Sequence, residues 1–403
     1  MVLDSTKYIF LVGDGMGDYP LDELGGKTPL EVANTPNMDR IAACRIGLVK
    51  TIPNGMPPGS DVANLSLLGY DPKKYHTGRA PFEAASMGVE LGEEDIAFRM
   101  NLVTLDFRSD DEIIMVSHSS GDITTEEGKA IVATMRAGIE SDGLSIFPGV
   151  AYRHLLVWRN GPIDTATIPP HDVLGQNMTE YLKSPENSPI SRLIQQSWKL
   201  LRDHPVNIAR RDKGLLEANS IWPWGQGIPP RLPLFWEKFG LTGGVISAVD
   251  LIKGIGITVG LRPVYVEGAT GYLDTNYSGK AEAALDMLEE VDFMFVHVEA
   301  PDEAGHSGIV EDKIKAIEAF DKEVVGRVLK GLGRFGQYKI MVASDHLTPI
   351  PKRTHTDDPT LFAWASGEEL GSGTKGSFTE KAASSSGIYY ANGYDLMPEF
   401  LSC

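Results

Sequence analysis

The sequence predicts an α/β protein in which helices flank a central, mostly parallel sheet and a smaller α+β domain is inserted into that core. Three observations carry this expectation. Three short apolar runs, "KYIFLV", "FMFVHV" and "KIMVA", each end at polar residues. They are too short for helices and suit strands buried on both faces of a parallel sheet. Between the last two lies "EDKIKAIEAFDKEVVGRVLKGL", where Ile314, Ile317, Phe320, Val324, Val328 and Leu332 recur at three- and four-residue spacing. That spacing predicts an amphipathic helix of about five turns, and strand, helix, strand in this order predicts a right-handed crossover. The stretch from about Asp95 to Pro185 changes character, with alternating "RMNLVTLDF" and "YRHLLVW", the turn cluster "SSGD" and the proline-rich "TIPPHD".

In chain order, the first strand ends in Gly13-Asp14 and is followed by "MPPGSDVANLSLLG", whose Val62, Leu65 and Leu68 are spaced for one buried helix face. The core is expected to occupy 1–95 and 186–403 and the insertion 96–185, with hinges near Glu93–Asp95 and "KSPENSP". "SGKAEAALDMLEEVD" (278–292) predicts a helix feeding the strand that begins at Phe293. "GSGTKGS" (371–377) and "AASSSG" (382–387) read as surface loops.

Composition narrows the chemistry. At 403 residues, 42% hydrophobic and 23% charged, the chain suits two or three globular domains. No run is long and apolar enough for a membrane helix and no leader pattern opens the chain, so a cytoplasmic protein is expected. The net charge of −18, from 37 basic and 55 acidic side chains, argues against nucleic-acid binding. The cysteines are Cys44 and Cys403, so any metal must be held by oxygen and imidazole nitrogen.

In open α/β sheets ligands collect beyond the carboxyl ends of the strands. Asp14, Asp302 and Asp345 follow three of the expected strands, His306 and His346 lie close to two of them, and His355 follows in a loop. Each aspartate alone reads as a turn cap. Together with imidazoles they form a donor set suited to Mn²⁺, Mg²⁺, Co²⁺ or Zn²⁺. Ser60 opens the helix after a Pro/Gly loop; it reads as an N-cap, or as a nucleophile where amide donors favour a phosphate. "VGDGMGD" fails as a dinucleotide fingerprint, because Asp18 stands at its sixth position and Asp14 would oppose a pyrophosphate.

"FLVGDGMGDYP", "MPPGSDVANLSLLGYDP", "YHTGRAPFEAA", "PPHDVLGQN", "APDEAGHSG" and "SDHLTPIPKRTHTDDP" resemble the cofactor-independent phosphoglycerate mutases, in their archaeal-type branch, of the alkaline phosphatase superfamily. The resemblance runs along essentially the whole chain. It implies an alkaline-phosphatase-like core and two divalent ions, with no organic cofactor. One ion would be held by Asp302, His306 and His355, the other by Asp14, Ser60, Asp345 and His346. It also implies that Ser60 is a transiently phosphorylated nucleophile and that His118, in "VSHSSGDIT", is an acid and base on the glycerate hydroxyls. Lys253 resembles an interdomain lysine that touches the phosphoryl group. Arg79 and Arg153 are candidate anion-binding groups, and His171 and Asp172 match a family segment without a fixed role. The active site is expected between the two domains. The expected reaction is interconversion of 3-phosphoglycerate and 2-phosphoglycerate. The alternatives are a related metal-dependent phosphotransferase such as a homoserine kinase, a phosphatase, or a non-catalytic binding protein.

Overall fold

The computed structural model describes residues 6–141, 143–185, 188–371 and 376–402. Cys403 and most of the loop expected at 371–377 lie outside these residues, as does part of "KSPENSP". The chain starts with β1 (Lys7–Gly13), β2 (Ile46–Val49) and α1 (Ser60–Leu67). A second compact unit follows: β3 (Asp95–Ser109), β4 (Glu112–Ser117), α2 (Thr125–Ile139), β5 (Leu144–Phe147), β6 (Arg153–Arg159), α3 (Ser188–Leu201) and β7 (Ser220–Gly227). The first unit resumes with β8 (Gly243–Ile246), α4 (Asp250–Thr258), β9 (Arg262–Pro263), α5 (Tyr277–Met287) and β10 (Phe293–Val298). It finishes with α6 (Ala300–Ser307), α7 (Val310–Ala319), β11 (Tyr338–Ala343), β12 (Thr360–Ser366) and β13 (Tyr389–Tyr390).

The first unit, Met1–His76 with Arg231–Cys403, is built on a sheet ordered β13-β2-β12-β11-β1-β10-β8-β9. Every pairing is parallel except those of β12, which runs against both β11 and β2. The mostly parallel sheet therefore stands as expected, with one reversed strand. β1 lies between β10 and β11, so the strand–helix–strand segment crosses over it. All six residues of β10 are buried, which is why that strand reads as a continuous apolar run. Ile317, Phe320, Val324, Val328 and Leu332 are buried against the sheet as their spacing predicts.

The expected five-turn helix is interrupted. After α7 the chain makes a turn of π-helix over Phe320–Val325 before regular helix resumes at Gly326–Leu332. Asp321, in that turn, accepts hydrogen bonds from the backbone N–H groups of Asn37 (3.1 Å) and Met38 (2.7 Å) and from the Asn37 amide (2.8 Å). The extra residue per turn brings this carboxylate to the head of the Pro36–Ala42 helix.

The second unit is Thr77–Pro230, wider at both ends than the 96–185 read from the sequence. Two pairings explain the difference. β7 hydrogen-bonds antiparallel to β3 from Ala97 to Val103, so residues after 185 belong to the second sheet. The Ala80–Ser86 helix packs Ala80 and Ala84 against Ala97, Leu155 and Val157. α2 and α3 cover the sheet and, with Trp222, Met135, Ile131, Ile190 and Ile194, fill its core. Entry and exit of this unit run side by side: the Thr77 hydroxyl donates to the Ile228 carbonyl at 2.6 Å. Among the described residues no helix is long and apolar enough to cross a membrane.

Candidate active site

Register brings three carboxylates to one edge. Gly13 of β1 pairs with Val298 of β10, and Val12 pairs with Ala343 of β11. Asp14 follows β1 directly, Asp345 follows β11 by two residues, and Asp302 enters on the first turn of α6. Gly15 makes the turn possible: its φ is +59°, and a Cβ there would lie 2.5 Å from Thr348 Oγ1 and 2.6 Å from Asp302 Oδ1.

Two groups of donor atoms converge here. In one, Asp302 Oδ2 lies 3.2 Å from His306 Nε2, which is 3.0 Å from His355 Nε2, itself 3.4 Å from Asp302 Oδ1. In the other, His346 Nε2 lies 3.4 Å from Asp14 Oδ1 and 3.5 Å from Asp345 Oδ2. His346 also stands within 4.8 Å of Asp302 and His355 donor atoms, so the two groups adjoin. All seven residues expected to ligate ions, Ser60 included, are therefore brought together.

Neighbouring groups fix which nitrogen of His306 and of His346 faces inward. The Arg353 carbonyl accepts from His306 Nδ1 at 3.0 Å, which leaves Nε2 as the nitrogen that can offer a lone pair to an ion once its proton is displaced. Arg353 holds its carbonyl there from a left-handed backbone conformation, φ +53°. Thr348 donates its hydroxyl hydrogen to Asp302, and its oxygen lies 3.3 Å from His346 Nδ1. Nδ1–H can donate to that oxygen, and Nε2 of His346 again faces the cluster unprotonated.

The donor set fits divalent cations. Asp14 is buried with Oδ1 lacking any hydrogen-bond partner among the described residues. Burial pushes its pKa well above the ordinary carboxylate value, and Asp345 and Asp302 push it further. A bound cation relieves this crowding of buried anions. Burial also works against ionisation of Asp302, but His306 and His355 overcome it and hold its pKa well below the usual range. His306 is lowered by burial yet raised more by Asp302, to about 9. His346, wholly buried, is pushed down to about 4. Two ion positions supplied by aspartate and histidine are thus built into the strand ends.

Ser60 is the first residue of α1 rather than its cap. Gly59 occupies the N-cap in extended conformation and, lacking a side chain, makes no capping bond. The serine hydroxyl points to His346 Nε2 at 3.1 Å. Asn64, one turn on, donates from Nδ2 to the Ser60 carbonyl (2.9 Å) and to Asp345 Oδ2 (2.8 Å), tying the helix to the carboxylate cluster.

Three buried groups behind the cluster escaped the sequence reading. His297, in β10, faces Asp14 Oδ2 through Nε2 and Glu299 Oε1 through Nδ1, each at 3.4 Å. Glu299 Oε2 accepts from Lys280 Nζ at 2.6 Å. Burial opposes the charge on Glu299, but Lys280 and His297 hold its pKa well below the ordinary value. The signal was in the sequence: a histidine inside a wholly apolar strand, two residues before a glutamate.

The remaining candidates divide between the units. Lys253, on α4, pairs with Asp250 at 2.9 Å and lies 5.3 Å from the Tyr265 ring; α4 itself packs on α1. In the second unit His118, Arg79 and Arg153 join one chain of rings and cations. Arg153 lies over Tyr152 (5.2 Å), Tyr152 meets His118 (5.7 Å), His118 meets His171 (6.2 Å), and His171 meets Trp224 (5.3 Å). Arg99, which the sequence reading missed, stacks on Trp224 at 4.3 Å and pairs with Glu83 at 2.9 Å; Arg79 lies 3.6 Å from the same carboxylate. Burial lowers His171 to about 4, with Asp172 opposing and Arg99 and Arg79 reinforcing the shift. Burial also lowers His118, against Asp122. Two arginines sharing one glutamate, with Arg153 at the other end of the ring chain, make a locally cationic patch in a protein of charge −18.

Comparison with known proteins gives one consistent result. A family model described as 2,3-bisphosphoglycerate-independent phosphoglycerate mutase matches residues 42–207. The chain is 50% identical over 397 residues to a probable 2,3-bisphosphoglycerate-independent phosphoglycerate mutase of Geobacter sulfurreducens, covering 98% of this chain and 99% of that one. It is 48% identical over 395 residues to the corresponding mutase of Methanosarcina barkeri, with 97% and 98% covered. Among solved structures, a Pyrococcus horikoshii protein superposes with a TM-score of 0.80 at 30% identity, over 98% of this chain and 97% of that one. The cofactor-independent phosphoglycerate mutase of Thermoplasma acidophilum gives 0.61 at 26% identity, over 98% and 99%.

Proposed function

Because this chain belongs to the 2,3-bisphosphoglycerate-independent phosphoglycerate mutase family, we propose that it interconverts 3-phosphoglycerate and 2-phosphoglycerate through phospho-Ser60. The observation that carries this reading is the Ser60 hydroxyl, 3.1 Å from His346 Nε2 and aimed into the Asp14–Asp345–His346 cluster. Asp302, His306 and His355 would hold one divalent ion, and Asp14, Asp345, His346 and Ser60 the other. Mn²⁺ and Mg²⁺ suit these ligands best, and Co²⁺ and Zn²⁺ also match them. Two such ions supply positive charge that lowers the serine pKa and offsets charge on the transferring oxygens.

In the forward half-reaction Ser60 Oγ gives up its proton to solvent and attacks phosphorus. The bond between phosphorus and the C3 oxygen breaks, and that oxygen takes a proton from His118. Phospho-Ser60 sits at the start of α1, where backbone N–H groups and the helix dipole favour its charge. Glycerate then turns within the site. Its C2 hydroxyl gives a proton to His118 and attacks phosphorus, the bond between phosphorus and Ser60 Oγ breaks, and Oγ takes a proton back from solvent. Proton and phosphoryl inventories close over the cycle.

We assign the glycerate to the Thr77–Pro230 unit. Arg79, Arg99 and Arg153 present forked donors suited to a carboxylate, and His118, whose pKa is lowered by burial, is assigned the proton transfers at the glycerate hydroxyls. Lys253 is assigned to the phosphoryl group. Holding glycerate through its turn is what separates a mutase from a phosphatase, because water at phospho-Ser60 would give net hydrolysis. The discriminating assay offers the purified protein with added Mn²⁺ either 3-phosphoglycerate or homoserine with ATP. Formation of 2-phosphoglycerate without free phosphate supports the reading; homoserine phosphorylation or phosphate release in its place overturns it.

A further inference from the structure

Behind the Asp14–Asp345–His346 cluster, two buried side chains, Glu299 and Lys280, are held by hydrogen bonds. Glu299 accepts at Oε1 from the Ser247 hydroxyl (2.6 Å) and the Ala248 N–H (2.7 Å), and at Oε2 from Lys280 Nζ (2.6 Å). Lys280, on α5 and fully buried, also donates to the backbone carbonyl of His297 at 3.0 Å. One ammonium therefore grips the glutamate by its side chain and the histidine by its backbone. His297 is itself fully buried, and no hydrogen bond engages either ring nitrogen among the described residues. Each nitrogen instead faces a carboxylate oxygen at 3.4 Å, Nδ1 towards Glu299 and Nε2 towards Asp14.

The two oxygens of Asp14 are thereby divided. Oδ2 faces His297, while Oδ1, which has no hydrogen-bond partner, faces His346 Nε2 at 3.4 Å. His297 Nε2 also stands 3.9 Å from Asp345 Oδ2. It approaches both carboxylates from the sheet side, and His346 approaches the same two from the loop side. Packing has no need of a polar ring here: the neighbouring β10 positions are Val296 and Val298, both fully buried. A polar ring in that apolar strand carries a desolvation cost unless its polarity is used.

We propose that His297, clamped by Glu299 and Lys280, is a positioning residue that holds one oxygen of Asp14 so that the other faces the ion position shared with Asp345 and His346. The inference rests on the reading of that cluster as an ion site. Outer groups that orient ligands set metal affinity as well as ligand geometry, and losing one costs about 10–100-fold.

The test is calorimetric titration of metal-free protein with Mn²⁺, which does not depend on turnover. His297→Leu removes both ring nitrogens, whereas His297→Gln restores an amide near the place of Nε2. Wild type is expected to bind two ions. His297→Leu should weaken one of them by about 10–100-fold, the same ion that survives in Asp302→Ala, and leave the other unchanged. His297→Gln should recover most of the loss, and circular dichroism of the metal-free variants should match wild type. Unaltered affinity in His297→Leu, or equal losses in the Leu and Gln variants, overturns the proposal, the second by showing that ring packing alone matters. Should His297→Leu fail to fold, Glu299→Gln is read in the same way: a loss confined to the same ion supports the proposal and no loss overturns it. Fewer than two ions in wild type would bring down the two-ion reading itself. Two ions in wild type with unaltered affinity in the variants would bring down this inference alone.

Discussion

Replacing Lys313 by methionine tests how the loops of the ion site are held. Lys313, on α7, is fully buried and donates from Nζ to Asp18 Oδ2 (2.8 Å), the Thr348 carbonyl (2.8 Å) and the Gly17 carbonyl (3.1 Å). Asp18 accepts in addition from the Ile350 N–H at 3.1 Å. One ammonium thus joins the loop after β1 to the loop after β11. The first loop contains Gly15, whose N–H donates to Asp345 Oδ1 at 3.0 Å, and the second contains Thr348, which donates to Asp302. Methionine matches the length of the lysine stem but leaves Asp18 buried without its cation. Breaking a buried ion pair from one side costs about 3–5 kcal/mol. At about 2–4 °C per kcal/mol for a unit of this size, the midpoint should fall by about 10 °C. Asp18→Asn in the Lys313→Met background neutralises the orphaned carboxylate and should recover about 2 kcal/mol. Urea titrations followed by circular dichroism on metal-free protein measure both quantities. A Lys313→Met protein within about 1 kcal/mol of wild type, or a double variant no better than the single, would refute the reasoning.

Two further perturbations follow from the site and from the second unit. Asp302→Ala should lose one equivalent of bound metal and Asp345→Ala the other, each with mutase activity reduced by about 10²–10³ or more; equal metal content in wild type and Asp302→Ala contradicts the ligand assignment. His154 should make the Thr77–Pro230 unit acid-sensitive. Burial lowers its imidazole from 6.5 to about 4, and its Nδ1 accepts from the Gly149 N–H at 3.0 Å. Between those values the unfolded chain binds a proton that the folded one refuses, so stability is complete above about 6.5 and declines as pH falls towards about 4. The decline should reach about 2 kcal/mol by about pH 5. His154→Gln should remove that share of the pH dependence, measured as the difference between urea midpoints at neutral and mildly acidic pH, and an unchanged slope would contradict it.

The parts of this fold legible in the sequence are those whose cause is local. β1, β10 and β11 are buried on both faces over most of their length, so their sequences are mainly apolar and stop where the loops begin. Asp14, Asp302 and Asp345 stood out because they follow those stops. Ser60 stood out because a Pro/Gly loop precedes a helix pattern. The illegible parts depend on distant partners. The π-helical turn in 320–325 answers to Asn37 and Met38, almost three hundred residues earlier in the chain. β7, "SIWPWGQG", contains proline and glycine and reads poorly as a strand, yet β3 pairs with it and draws the unit boundary to Pro230. Arg99 lay inside a stretch read only for alternation, and its partners Glu83 and Trp224 come from either side of it in sequence. His297 was visible as a histidine in an apolar strand but the carboxylates it faces were not, and Lys280 was hidden because a lysine in a helix pattern reads as exposed until its buried partner is known.

The central claim is that the phosphoryl group passes through Ser60. Acid quench during turnover of 3-phosphoglycerate labelled in its phosphoryl group, followed by mapping of the labelled peptide, tests it most directly. Label is expected on Ser60, in protein that converts the substrate without mixing its label into free phosphate. Ser60→Ala should carry no label and have no measurable mutase activity, while still binding two ions, because water can replace one hydroxyl ligand but cannot accept and return the phosphoryl group. Label on another side chain such as His118, or near wild-type mutase activity in Ser60→Ala, would contradict the account.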